Sequence, residues 1–361
     1  MDLTELQHSP LEEQHLAAGG KLVPFAGWAL PVQYEGILAE HRAVRTACGV
    51  FDISHMGQFV VHGPDHVDTC EWLDRMLSNH VGRLQPGDGQ YSLLLNDQGG
   101  IIDDLIVYRT GESHFLLIVN AACRERDLDW MTLHAPPGMA LIDRSAAYCA
   151  LAVQGPDAAR VFAAMFPQGP SLPPRFGIVE SGAIAICRTG YTGEDGFELC
   201  APEEVMADWW GKALAAGAKP CGLGARDLLR LEKCYPLNGS DLSEETTPWE
   251  AGLAFAVDLE KHDFIGANAL RDQRTRGVER RLSALKVDGK APPPRPGYPV
   301  YGGEADSPIL GTLTSGGFSP GLDAGIAMAY LPAGQHPHGS RLWIEIRGKR
   351  YPAGVVRKPF I

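Results

Sequence analysis

Two adjacent aspartates, Asp103 and Asp104, stand in the apolar stretch Ile101-Ile102-Asp103-Asp104-Leu105-Ile106-Val107. A charge inside such a run is costly unless it is paired or used. A carboxylate there can accept a proton from a reacting group and stabilise positive charge that develops beside it. An ordinary reading stays open, because aspartates just after a turn often cap backbone amides or sit in water. Two other stretches carry reactive groups. Thr189-Gly190-Tyr191-Thr192-Gly193-Glu194-Asp195-Gly196-Phe197-Glu198 is rich in glycine, which can bring the backbone close to a flat ligand. It also offers the ring face of Tyr191 and a Glu198 carboxylate able to accept two parallel N–H bonds. A plain structural hairpin fits it equally well. In Leu223-Gly224-Ala225-Arg226-Asp227-Leu228-Leu229-Arg230-Leu231-Glu232, Arg226 and Arg230 lie four apart on one helical face. They suit either a double guanidinium grip on a carboxylate-bearing ligand or pairing with Asp227 and Glu232. No Ser-His-Asp order, HExxH or CxxC stands out, and the glycine-rich stretch is neither a phosphate loop nor a dinucleotide fingerprint.

These groups require particular supports. Strand formers on both sides of Asn96-Asp97-Gln98-Gly99-Gly100 predict a β-hairpin, from Ser92-Leu93-Leu94-Leu95 to Leu105-Ile106-Val107-Tyr108. Side chains alternate along a strand, so at most one of the two acids enters a site and the other is expected in solvent. A further strand, His114 to Val119, ends in Asn120, and a helix from Arg124 to Leu133 follows. Near the start, Ile37, His41, Val44 and Cys48 recur at helical steps, which makes His41 a core residue. A weak repeat, Val61-His62-Gly63-Pro64-Asp65 and Val153-Gln154-Gly155-Pro156-Asp157, leads each time from a strand into a helix whose first residue is expected to be the proline. Mixed short strands and helices without strict alternation predict an α+β, multidomain chain. The proline-dense run from Asp288 to Gly297 reads as a linker or rigid loop. Short strands and turns beyond it predict a small β-barrel or sandwich.

With 361 residues, the chain has room for two or three domains. A formal charge of −12 argues against a nucleic-acid binder. The basic clusters at Arg274, Arg276, Arg280, Arg281 and at Lys349, Arg350, Arg357, Lys358 read as solvated surface, or as a docking face for an acidic partner. The eight cysteines show no metal-ligand spacing and are expected as reduced core thiols. The N-terminus has neither a signal core nor an Arg-rich presequence, and no apolar run approaches a membrane span, so a cytoplasmic protein is predicted.

Asn-Asp-x-Gly-Gly-Ile-Ile-Asp-Asp-Leu-Ile-Val resembles the signature of the aminomethyltransferases, the T-proteins of the glycine cleavage system. The likeness runs nearly the whole chain, through Phe25-Ala26-Gly27-Trp28, Phe51-Asp52-Ile53-Ser54-His55-Met56, Gly190 to Glu198, Gly222 to Asp227, and Thr314 to Pro320. It implies a three-domain cloverleaf around a central folate site, with two ferredoxin-like or Greek-key α+β domains and a C-terminal β-barrel. The implied boundaries are 1–52 with 140–245, 53–139 with 246–280, and 281–361. It also implies the activity: an aminomethyl group on the lipoyl arm of H-protein gives its methylene to tetrahydrofolate, yielding 5,10-methylenetetrahydrofolate, ammonia and dihydrolipoyl H-protein. No metal is required, and neither nucleic acid nor membrane is an expected partner.

Position by position, the resemblance makes Asp104 the catalytic acid and Glu198 the holder of the pterin's N–H edge. Met56, Tyr91, Asn120 and Tyr191 line the pocket, and Arg226 and Arg230 stand near folate and its entrance. One departure is Leu237-Asn238-Gly239, where many T-proteins have Leu-Tyr-Gly; Tyr235 is the available substitute. Two other readings use the same fold. One is a folate-binding iron–sulfur assembly factor, which would depend on Cys234; the other is a tetrahydrofolate-dependent demethylase.

Overall fold

The computed structural model describes residues 3–261 and 263–361. They fall into two compact units, one comprising residues up to 94, 103–227 and 260–264, the other 95–102, 228–259 and 265–361.

The first unit contains two large sheets. In one, the strand order is Gly89–Leu95, Ile101–Arg109, His114–Val119, Gly57–His62, Ala140–Asp143. In the other it is Ile178–Ser181, Ile184–Cys187, Gly196–Pro202, Tyr148–Gln154, Gly49–Asp52, Lys219–Pro220. The second sheet buries Val50, Leu151, Val153, Phe197 and Leu199 against Val161 and Phe162 of the helix Ala158–Met165 and Trp209 and Trp210 of the helix Met206–Ala215. Each sheet contains one copy of the repeat: Gly57–His62 leads to the helix His66–Met76, and Tyr148–Gln154 leads to Ala158–Met165. The helices start later than expected. Asp65 and Asp157 occupy the N-cap positions, so Pro64 and Pro156 lie outside the helices. In the first copy the reason is visible, since Asp65 is extended (φ −151°) and its carboxylate accepts from Asp68 N at 2.9 Å, which is what an N-cap does.

The second unit ends in a closed six-stranded barrel, in the order Arg280–Val287, Ala324–Pro332, Ile309–Ser319, Pro299–Tyr301, Arg341–Ile346, Lys349–Val356. Its interior is filled by Leu285, Val300, Leu313, Ala329, Ile344 and Ala353. The proline run is therefore a loop inside the barrel, joining its first two strands. Arg280 stays on the surface, its side chain 41% exposed, and is paired there: its guanidinium bonds Glu250 at 3.2 Å and the Glu245 carbonyl at 2.7 Å.

The turn of the acid hairpin, residues 95–102, is grouped with this second unit. Ile101 N donates to the carbonyls of Ser243 (3.1 Å) and Thr246 (3.0 Å), and Asn96 Nδ2 donates to the Glu244 carbonyl at 3.1 Å. A Cβ at Gly100 would lie 1.7 Å from the Glu244 carbonyl oxygen, so only glycine fits there. Turn chemistry fixes the hairpin, and the hairpin fixes where its acids begin.

Candidate active site

Asp103 and Asp104 lie on the strand Ile101–Arg109, between the strands that carry Tyr91 and lead to Asn120. As the alternation of a strand requires, their environments differ. Asp104 is half-buried, with its Oδ2 accepting from Tyr91 OH at 3.0 Å and its Oδ1 from Asn120 Nδ2 at 3.0 Å. Asp103 is not in solvent as expected but fully buried (0% exposed). Its carboxylate accepts from Asn120 N at 3.0 Å and Asn120 Nδ2 at 2.8 Å. Asn120 thus holds both acids, because it ends a strand whose register places it across from them.

A third acid joins them. Asp127, in the first turn of the helix Arg124–Leu133, is 0% exposed, and its carboxyl meets that of Asp103. Burial pushes Asp127 up to about 11, and the charge of Asp103 adds to the effect. Burial also raises the pKa of Asp103, and the donors Asp127, Asn120 and Cys123 oppose it. Asp104 is pushed up to about 7, first by burial and then by the Asp103 charge, with Tyr91 and Asn120 pulling the other way.

The remaining candidates form a second cluster in the same unit. Glu198, on the strand Gly196–Pro202, accepts from Thr189 Oγ1 at 2.6 Å, and that hydroxyl bonds Tyr108 OH at 2.5 Å. Burial raises the pKa of Glu198, while Thr189 and Arg226 lower it. The Arg226 guanidinium lies 4.9 Å from the ring centre of Tyr191, and its buried Nη1 has no hydrogen-bond partner among the described residues. Tyr91 feels both Asp104 and Tyr191, which links the two clusters. The buried imidazole of His55 is held neutral, its pKa lowered to about 3 by burial and by Arg226; its Nδ1 has no hydrogen-bond partner among the described residues. Met56 follows it, half-buried.

The structure thus joins Asp104, Asn120 and Tyr91 by hydrogen bonds and Tyr191 and Arg226 by a ring contact, with electrostatic interactions linking Tyr91 to Tyr191 and Arg226 to Glu198. Arg230 is engaged elsewhere, in the second unit: Nη1 pairs with Asp241 at 2.7 Å and Nη2 donates to Ser315 at 2.8 Å. The glycine-rich turn owes its composition to packing. A Cβ at Gly190 or Gly196 would lie within 2.5 Å of the Gln154 side chain, which itself bonds Thr189 O and Thr192.

Sequence reading missed Asp127, Thr189, Tyr108 and His55. For Asp127 a signal was present: Cys123, Asp127 and Met131 recur every four residues, so the acid falls on the apolar stripe of its helix. Chemically, the site offers a proton acceptor poised near neutrality, a carboxylate beside a guanidinium with an unmet donor, and two tyrosine rings. That set suits a flat ligand with a hydrogen-bonding edge and a nitrogen that loses a proton.

Comparison with known proteins adds the following. The GCVT N-terminal domain family matches residues 11–261, and the glycine cleavage T-protein C-terminal barrel domain family matches residues 280–361. The chain is 42% identical to an aminomethyltransferase of Picosynechococcus sp. over 98% of both chains. It is 43% identical to one of Prochlorococcus marinus and 42% identical to one of Geobacillus kaustophilus, with the same coverage. Among solved structures, the glycine cleavage system aminomethyltransferase T of Bartonella henselae superposes with a TM-score of 0.92 at 36% identity, covering 99% of this chain and 98% of its own.

Proposed function

The chain belongs to the glycine cleavage T-protein family of aminomethyltransferases, and from that premise we propose its reaction in full. The methylene of an aminomethyl group, carried on the lipoyl arm of a partner H-protein, passes to tetrahydrofolate. Ammonia and dihydrolipoyl H-protein are released, and 5,10-methylenetetrahydrofolate forms. The observation that carries this reading is the Asp104 carboxyl, held between Tyr91 and Asn120 with its pKa pushed up to about 7.

Two N–H protons leave the folate as its two bonds to the methylene form, and the ammonia and the lipoyl sulfur each gain one. Asp104 is placed to accept such a proton, and its negative charge stabilises the cationic one-carbon fragment. Glu198 receives the pterin's N–H edge, with Arg226 beside it and Tyr191, Tyr91, Asn120 and Met56 lining the site. The Glu198 carboxylate fits such an edge as acceptor, and the unmet Arg226 N–H suits an acceptor atom of the ligand beside it. The role of Arg230 near the entrance rests on the family likeness, because its guanidinium is occupied by Asp241. The three-part division at 1–52 with 140–245, 53–139 with 246–280, and 281–361 is part of the same proposal, as is a cytoplasmic location. No helix among the described residues is long and apolar enough to cross a membrane.

The assembly-factor reading fares worse at Cys234. Burial pushes its thiol up to about 11, leaving little thiolate for cluster chemistry near neutral pH. The test is reconstitution with aminomethylated, lipoylated H-protein and tetrahydrofolate. Equal amounts of ammonia and 5,10-methylenetetrahydrofolate are expected. No transfer from H-protein, with transfer from a methylated sulfur compound instead, would make the chain a demethylase.

A further inference from the structure

The helix Arg124–Leu133 buries an acid that the reaction above does not use. Cys123, Asp127 and Met131 are 2%, 0% and 0% exposed, so the stripe that packs this helix includes a carboxyl. Among the described residues, neither oxygen of Asp127 accepts a bond from a nitrogen or hydroxyl donor. It meets Asp103 carboxyl to carboxyl, with the charge of Asp104 also felt. Two ionised carboxylates do not share a buried contact, but one proton between them turns the contact into a hydrogen bond. Asp103 takes the acceptor side, since Asn120 and the Cys123 thiol already donate to it.

We propose that Asp127 is a positioning residue for proton transfer at Asp104: it holds one proton against Asp103, which keeps Asp103 a single fixed negative charge behind Asp104. The inference rests on the reading of Asp104 as proton acceptor. The groups around the three acids are few: Cys123 and Arg126 on the helix side, Asn120 at the end of the adjoining strand, and Tyr91 facing Asp104. Arg126, whose charge is felt at Asp127, donates to Cys123 Sγ at 3.3 Å. The fixed charge opposes ionisation of Asp104 and holds its titration in the neutral range, where it can accept a proton and return it. The raised pKa values of Asp127 and Asp104 run in the directions this requires.

The test is a pH titration by NMR of the whole chain labelled with 13C at the aspartate carboxyls, comparing wild type with Asp104→Asn, Asp103→Asn and Asp127→Asn. Wild type should show one carboxyl still protonated at about pH 9 and another, absent from Asp104→Asn, titrating near neutrality. Asp127→Asn should remove the persistent acid and leave the Asp104 titration within about half a unit, because the amide donates to Asp103 as the acid did. Asp103→Asn should lower the Asp104 titration by at least about one unit, and the acid limb of the pH–rate profile should follow. An unmoved Asp104 titration in Asp103→Asn, or a persistent acid that survives in Asp127→Asn, would overturn the proposal. If Asp103→Asn does not fold, the Asp127→Asn arm decides. The titration needs no substrate, so expected titrations in a protein that transfers no methylene would count against the proposed reaction and not against this pair.

Discussion

Two buried polar clusters in this protein are built on opposite plans. In the second unit, Arg230, Asp241 and Ser315 are 2%, 1% and 1% exposed, and the opposite charges of Arg230 and Asp241 meet. Asp241 accepts from Arg230 at 2.7 Å, from Leu237 N at 2.9 Å and from Ser315 at 2.8 Å. In the first unit, Asp103, Asp104 and Asp127 share Asn120, Tyr91 and Cys123 as donors, and no cation pairs with any of them in a salt bridge among the described residues. A balanced cluster gives up little by staying in one protonation state, whereas an unbalanced one must hold or release protons. The difference separates a structural clamp from a proton-handling site, and it can be broken from either side.

The largest effect is expected at Asp104. Asp104→Asn keeps the shape but cannot accept a proton, so turnover should fall ~10²–10⁴-fold while tetrahydrofolate still binds. Steady-state rates with a folate titration check this; full activity would refute the mechanism. Arg230→Met acts on the other cluster. It leaves the Asp241 carboxylate buried without its cation, and denaturant unfolding should show a loss of about 3–5 kcal/mol. The acid limb of the pH–rate profile should stay where it is. A moved limb would mean that the two clusters are not separate in function.

Glu198→Gln replaces an acceptor oxygen with an amide that opposes the pterin's donors. Bonds to charged groups are worth about 1.5–3 kcal/mol, so calorimetry should find folate affinity lower by roughly ten- to hundred-fold. H-protein binding should survive. Unchanged folate affinity would make Glu198 a turn acid held by Thr189. Asp103→Asn should cost much less turnover than Asp104→Asn at the pH optimum, and equal losses would undo the assignment of roles.

The smallest effect concerns stability. Asp127 has its folded-state pKa raised to about 11. Between the ordinary carboxylate range and that value, the folded state binds one more proton than the unfolded chain. Its contribution to stability therefore falls as pH rises through this window. Asp127→Asn should gain on wild type in Tm as pH is raised from about 5 to about 9, and parallel curves would show that Asp127 is ionised in the folded state.

Much of this was legible in the sequence. The hairpin announced itself through turn formers between strand formers, and its two acids through charge in an apolar run, while it was the family resemblance that singled out Asp104 over Asp103 and gave Glu198 and Arg226 their proposed roles. The barrel followed from regular turns, although its first strand, Arg280–Val287, was hidden by its leading arginines. What could not be read was partnership across the fold. Asp103 looked solvated because alternation tells which face a side chain takes, not what covers that face, and here the helix bearing Asp127 covers it. The glycines near Tyr191 looked like room for a ligand, yet the space at Gly190 and Gly196 belongs to Gln154. For Arg230 the partner Asp241 could not be read, because it lies beyond the end of the helix that carries Arg230.

The claim at the centre is that Asp104 takes the proton during methylene transfer. Single-turnover rates of methylene transfer, measured across pH for wild type and Asp104→Asn, test it most directly. In wild type the rate should fall as pH drops through about 7, because Asp104 must be ionised to accept a proton. The residual rate of Asp104→Asn should lack that limb. The same limb in both proteins would place the titrating group elsewhere and contradict the account.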